Sequence, residues 1–232
     1  MDSHLFINST DKILIVFPHP DDETFGAGCL IQKALKIGAS VKVLILTKGE
    51  ASTLKNGVND PAQLPVIREI EFKNVMSLLG VKDYSIENFP DKGLRETADE
   101  VINYLAHELR TYTPDVVVTY EPSGIYGHPD HIALTKMVED LHKEFDFKLV
   151  YSTVEPGYMP SEHLLKMAEH PEEIKPLFPS NFINLSLREL LNKIKCFNLY
   201  KSQFGGKTIS IGMKIKFAFM FRKEYFYIEK TL

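Results

Sequence analysis

Through its first two-thirds the chain alternates short apolar, β-branched runs with segments of helical periodicity, an order that leaves few folds open. Strand candidates are Lys12–Phe17, Val41–Leu46, Tyr84–Asn88, Asp115–Tyr120 and Lys148–Thr153. Between them lie helix candidates Thr24–Ile37, Pro65–Leu79, Ala98–Thr111 and Pro129–Phe145, with Gly38 and Gly80 as helix stops. This alternation predicts an α/β fold: a Rossmann-like, doubly wound, mostly parallel sheet flanked by helices. The runs are apolar throughout rather than alternating, as strands covered on both faces require.

The pattern breaks down from Glu155 to Phe182, where Pro156, Gly157, Pro160, Pro171, Pro176 and Pro179 predict a long, partly helical excursion. Loops of that length are often functional lids. Leu187–Tyr200 reads as a further helix, and Ile211–Ile228 is rich enough in Ile, Phe and Tyr to supply strands. No repeat, low-complexity tract or linker divides the 232 residues, so a single domain over 1–232 is expected.

Composition narrows the class. Hydrophobic content of 44% and charged content of 25% are those of an ordinary soluble globular protein. A net charge of −4 gives no electrostatic footprint for nucleic acid. No run reaches the ~18–20 apolar residues of a membrane span; Ile211 to Phe221 comes closest and is interrupted by Lys214 and Lys216. Met1 to Lys12 carries no secretory signal, and Cys29 and Cys196 are expected as reduced core thiols, so the chain reads as cytoplasmic. Assembly as a homo-oligomer stays open.

Two strand-to-helix junctions carry the chemistry. The first apolar run leads into His19-Pro20-Asp21-Asp22-Glu23, and the fourth leads through a short loop into His128-Pro129-Asp130-His131. Proline suits the first helical position because its missing N–H would have no partner there, and it pushes the residue before it towards extended geometry. Each His is therefore expected at a junction, with acidic residues in the following helical turn. If the two strands are neighbours in a parallel sheet, both junctions open onto one crevice at the carboxyl ends. Imidazole and carboxylate are ordinary Zn²⁺ ligands, and a catalytic zinc usually has three protein ligands and an open position. His19, Asp22 and His131 would form such a His₂Asp set. Adjacent residues of a helical turn point about 100° apart, which would leave Asp21 as general base and His128 as an imidazolium near developing charge. Singly, acidic residues in a first turn serve capping and the helix dipole; two such junctions at matching points of two βα units indicate a site. Glu50, after the second strand, is expected to line the same crevice.

These segments, Phe17 to Glu23 and Gly127 to His131, resemble the signature motifs of the PIG-L/LmbE-like deacetylases. Members of that family are zinc-dependent enzymes that remove acetyl from N-acetylglucosamine-type amino sugars in larger conjugates, and the partner expected here is a small-molecule amino-sugar conjugate. The resemblance implies zinc on His19, Asp22 and His131, Asp21 as general base, and His128 assisting the transition state with support from Asp130. It further implies Tyr126 near the amide carbonyl, and Arg68 and Asp91 at the sugar. Their structural alternatives are packing for Tyr126, an ion pair with Glu71 for Arg68, and a turn before Gly93 for Asp91. The likeness is to soluble bacterial members, including those acting on GlcNAc-malate towards bacillithiol. The archaeal chitobiose deacetylases stay open as a further branch. Two other classes stay open: a metal-dependent phosphoesterase, which usually needs ligands for a second metal, and a non-catalytic metal- or sugar-binding module.

Overall fold

The computed structural model describes residues 5–205 and 222–229. In chain order the elements are β1 (Lys12–Phe17), α1 (Asp22–Ile37), β2 (Ser40–Thr47), α2 (Leu64–Leu79), β3 (Asp83–Phe89), α3 (Ala98–Tyr112) and β4 (Val116–Tyr120). They continue with the single distorted turn α4 (Gly124–Gly127), α5 (Pro129–His142), β5 (Lys148–Thr153), the short α6 (Glu162–Leu165), β6 (Asn181–Asn184), α7 (Leu187–Leu199), α8 (Lys201–Phe204) and β7 (Lys223–Ile228).

One seven-stranded sheet runs β3-β2-β1-β4-β5-β7-β6. The first five strands are parallel, and β7 pairs antiparallel with both β5 and β6. Alternate residues of β1 feed opposite layers. Ile13, Ile15 and Phe17 pack with Leu30, Phe72 and Met76 of α1 and α2 and with Tyr200 after α7. Leu14 and Val16 pack with Leu105 and Leu109 of α3 and Leu134 and Val138 of α5. Coverage of both faces is why this strand carries apolar residues at consecutive positions. Gly38 and Gly80 close α1 and α2 at φ 93° and 80°, the left-handed geometry of a glycine helix stop.

Four expectations need adjustment. The strand β3 is partly exposed along its length, because it is the sheet edge and carries Asp83 and Glu87. Helix α5 ends at His142 rather than Phe145, the N–H groups of Glu144 and Phe145 both closing on the Leu141 carbonyl. The 155–182 excursion contains α6 and a 3₁₀ turn at Pro171–Glu173, but its last two residues already belong to β6. Of the strand-forming stretch Ile211–Ile228, Lys223–Ile228 forms β7, and 211–221 lies outside the described residues. Both cysteines are buried and free. No helix among the described residues is long and apolar enough to cross a membrane.

Candidate active site

Strands β1 and β4 are parallel neighbours, with Ile13 opposite Val116 and Ile15 opposite Val118. The chain order of the parallel strands reverses between them, so both histidine motifs leave the carboxyl ends at the switch point where open α/β sheets bind ligands. The second junction has the expected form. His128 is the extended N-cap of α5, Pro129 begins the helix, and His128 Nδ1 accepts a 3.2 Å bond from the Asp130 N–H. The first junction does not. Pro20 lies outside α1 and Asp21 is its N-cap, at φ 104° and ψ −28°. A non-glycine residue in that region costs on the order of 1–3 kcal/mol and persists only where its surroundings hold it. Here Glu23 Oε2 accepts the Asp21 N–H at 3.0 Å, and Arg68 takes the preceding Pro20 carbonyl. The separation of Asp21 from Asp22 thus comes from a left-handed residue, not from adjacent positions on one helical turn.

The imidazoles and carboxylates converge. Ring centroids of His19 and His128 are 4.7 Å apart, His128 and His131 4.8 Å, and His19 and His131 5.4 Å. One donor atom from each of the three lies within 4.8 Å of the others, and the same holds for His19, Asp91 and Asp130. Asp22 lies between two of the histidines: Oδ2 is 3.2 Å from His19 Nδ1, and Oδ1 is 3.5 Å from His131 Nε2. The Tyr120 hydroxyl donates to Asp22 Oδ1 at 3.0 Å, and its ring stacks on His131 with centroids 4.4 Å apart. His131 is 1% exposed, yet neither ring nitrogen has a hydrogen-bond partner. A buried imidazole in that condition beside a carboxylate has the donor chemistry a metal ion would satisfy, since burying unpaired polar groups is otherwise unfavourable. Three imidazoles ringed by three carboxylates form a donor set suited to zinc.

The protonation pattern follows from burial and charge. Burial opposes the charged form of His19, but hydrogen bonds from its ring N–H groups to the Asp130, Asp22 and Asp91 carboxylates outweigh it and raise its pKa. Burial and the adjacent His131 and His19 hold His128 down to about 2, and burial holds His131 to about 4. Asp22 is lowered, burial being overcome by His131 and His19. Burial pushes Asp21 up to about 8 despite the Arg68 guanidinium, with Asp22 and Glu23 adding to the rise.

The remaining sequence-predicted residues divide. Tyr126 is brought in, its ring 5.3 Å from that of His131 and 5.8 Å from that of His128. Arg68 is 3% exposed and is occupied by the protein itself: Nη1 donates to the Gly49 carbonyl at 3.1 Å, and Nη2 reaches the Pro20 carbonyl and Asp21 Oδ2, the latter at 3.2 Å. It holds the Asp21 carboxyl in place, while its buried Nε has no hydrogen-bond partner among the described residues. Glu50 is exposed, and its Oε1 accepts the Asp91 N–H at 2.8 Å, so it braces the loop that carries Asp91. Asp91 turns into the cluster, Oδ1 lying 3.1 Å from His19 Nε2. The Asp130 carboxylate is bonded to His19 Nε2 and to the N–H groups of Lys92 and Leu94; its only hydrogen bond to His128 is through its backbone.

Sequence reasoning missed Tyr120, Tyr200 and Glu121. Tyr200 is wholly buried and donates to Glu23 Oε1 at 2.7 Å, tying the C-terminal end of α7 to the first motif. Glu121, also wholly buried, accepts from Ser123 and from the Ile125 N–H at 2.7 Å, and so holds the strained Ile125 (φ 67°) next to Tyr126. Tyr120 and Glu121 were legible in principle as polar groups at the end of an otherwise apolar strand. Tyr200 carried no local signal.

Comparison with known proteins gives three findings. The model of a family described as PIG-L, GlcNAc-PI de-N-acetylase, matches residues 14–142. A 1D-myo-inositol 2-acetamido-2-deoxy-alpha-D-glucopyranoside deacetylase from Kineococcus radiotolerans is 33% identical over 150 residues, covering 52% of this chain and 42% of that protein. The chain spans about half the length of the curated relatives it matches. Among solved structures, N,N'-diacetylchitobiose deacetylase from Pyrococcus horikoshii superposes with a TM-score of 0.66 at 22% identity, covering 94% of this chain and 84% of that one. The 4-carboxy-2-hydroxymuconate hydratase GalB from Pseudomonas putida superposes with 0.65 at 15% identity, covering 96% and 98%. The fold is therefore shared by proteins named for different reactions, and the reaction has to be argued from the site.

Proposed function

Because the chain belongs to the PIG-L, GlcNAc-PI de-N-acetylase, family, we propose that it hydrolyses the acetamide of an N-acetylglucosamine-type conjugate. The observation that carries this reading is the meeting of His19, Asp22 and an unpartnered His131 beside Asp21, a buried carboxyl on a left-handed backbone that stands outside the ligand set. His19, Asp22 and His131 would hold zinc, which when bound lowers the pKa of water towards ~7 and polarises a carbonyl.

The chain's own residues do the rest. Asp21 accepts a proton from the attacking water as the bond from water oxygen to the acetyl carbon forms, and Arg68 keeps its carboxylate in place. The carbonyl oxygen takes up the negative charge. His128 meets it as a neutral imidazole: Nδ1 accepts from the Asp130 N–H, so the ring proton is on Nε2 and available as a donor. Tyr126 is the second donor at that face of the cluster. Collapse breaks the carbon–nitrogen bond, and the Asp21 proton passes to the leaving amine, giving acetate and the amino sugar. The neutral His128 favours Asp21 as proton donor over the imidazolium expected from the sequence.

A two-metal phosphoesterase is disfavoured by the same geometry. The second donor group reuses His19, and both Asp130 oxygens already accept loop amides. The deciding test is acetate release from a panel of N-acetylglucosamine conjugates, including the inositol glycoside and diacetylchitobiose, with zinc content measured alongside. Acetate from at least one of them is expected; zinc without acetate from any would leave a binding module.

A further inference from the structure

The Asp91 and Asp130 carboxylates take no part in the steps above, yet both are buried in the histidine cluster. We infer that they act together as positioning residues for His19, holding its Nε2 so that Nδ1 is presented beside Asp22 and His131. The inference rests on the ligand set proposed above. His19 Nε2 lies 3.1 Å from Asp91 Oδ1 and 3.2 Å from Asp130 Oδ2, while Nδ1 lies 3.2 Å from Asp22 Oδ2. The two faces of one ring are thereby divided, one nitrogen towards the ligand set and the other between two carboxylates. An imidazole that binds metal through Nδ1 carries its proton on Nε2. A carboxylate accepting that proton fixes the tautomer and the ring plane and makes the ligand more basic.

Both carboxylates are themselves fixed. Asp91 Oδ2 accepts the Ala51 N–H at 2.9 Å. Asp130 Oδ2 accepts the Lys92 N–H at 2.6 Å and Oδ1 the Leu94 N–H at 3.2 Å. Their side chains are 4% and 2% exposed. The holder is thus assembled from the loop after β3 and the first turn of α5, and it closes on a histidine that follows β1. The roles expected from the sequence fit this geometry poorly. Asp91 as a sugar contact would need an oxygen facing solvent, and Asp130 as the partner of His128 would need its carboxylate on that ring.

Zinc affinity, measured by competition with a chelator, tests the arrangement without relying on turnover. Asp91→Asn is the informative variant because an asparagine oxygen can still accept the Ala51 N–H. It is expected to weaken zinc binding about 10–100-fold, while the metal-free protein keeps a cooperative thermal transition and wild-type far-UV circular dichroism. His19→Ala is the companion. If it leaves zinc affinity unchanged, the ligand set fails and this inference with it. If it loses zinc while Asp91→Asn binds zinc as wild type, the ligand set stands and the positioning role is overturned. A raised KM in Asp91→Asn with normal zinc affinity would likewise overturn the positioning role and return Asp91 to the sugar.

Discussion

A carboxyl group that collects a proton from water and hands it to an amine works best when its proton affinity is near the ambient pH. Asp21 has that property for local reasons: burial pushes its pKa up to about 8 against the opposing Arg68 guanidinium. Asp21→Asn should retain zinc and lose about 10²–10⁴-fold in kcat, whereas Asp22→Asn should lose both metal and rate; equal metal loss in the two would mean the adjacent aspartates have been assigned wrongly. The raised value also has a stability consequence in metal-free protein. Between the ordinary Asp pKa of ~3.9 and about 8, the folded protein holds this proton and the unfolded chain does not. Native protein then binds more protons, so the Asp21 contribution is present at low pH and is lost as pH rises through that window. Urea unfolding with chelator at about pH 5 and about pH 8 should show a smaller loss of stability in Asp21→Asn than in wild type; parallel losses would show that Asp21 ionises normally. At this scale the sequence was legible where neighbours in the chain are neighbours in space. His19, Asp21 and Asp22 come from one short motif, and His131 from another. It was not legible where a side chain's partner is remote: Arg68 meets Asp21 across 47 positions, and Asp130 meets His19 across 111.

Elements were readable in proportion to how strongly burial patterns them. The first five strands came out within a residue, and for β1, β2, β4 and β5 the reason is that parallel strands buried on both faces leave largely apolar runs, whereas β3 lies at the partly exposed sheet edge. The four-residue β6 has no such run. It exists because Asn181–Asn184 pairs antiparallel with β7, a contact between distant segments that no local periodicity encodes. That same edge of the sheet anchors the helix bearing the first motif. Lys193 of α7 and Glu224 of β7, 1% and 4% exposed, are 2.5 Å apart. Lys193 also donates to the Phe25 carbonyl, and Glu224 accepts the N–H groups of Cys29 and Leu30, so the pair binds α1 along its middle turn. Removing one member of a buried pair strands the other's charge. Lys193→Met should therefore cost about 3–5 kcal/mol in urea unfolding, and a cost below roughly 1 kcal/mol would place the pair in the class of exposed bridges.

On the scale of the whole molecule, the proposed ligands are held by a sheet that does not need them to fold. His19 and His131 follow adjacent parallel strands whose side chains lie in two extensive apolar layers, and the sheet continues on both sides of the switch point. Small zinc domains behave otherwise, since there metal binding supplies the folding free energy and the apo chain is unfolded. Chelation here should leave the far-UV circular dichroism of the protein unchanged. Zinc should still stabilise the native state by mass action, because the site exists only when folded. At a free zinc concentration a hundredfold above Kd the gain is about 2.7 kcal/mol. For a chain of this size that corresponds to roughly 5–10 °C in Tm. His131→Ala should abolish that shift; its metal-free Tm, lowered by the cavity left where the ring stacks on Tyr120, is the baseline against which the shift is read. Loss of secondary structure on chelation would show that the metal is a structural element of the fold; a full zinc-induced shift in His131→Ala would show that the ion is bound elsewhere.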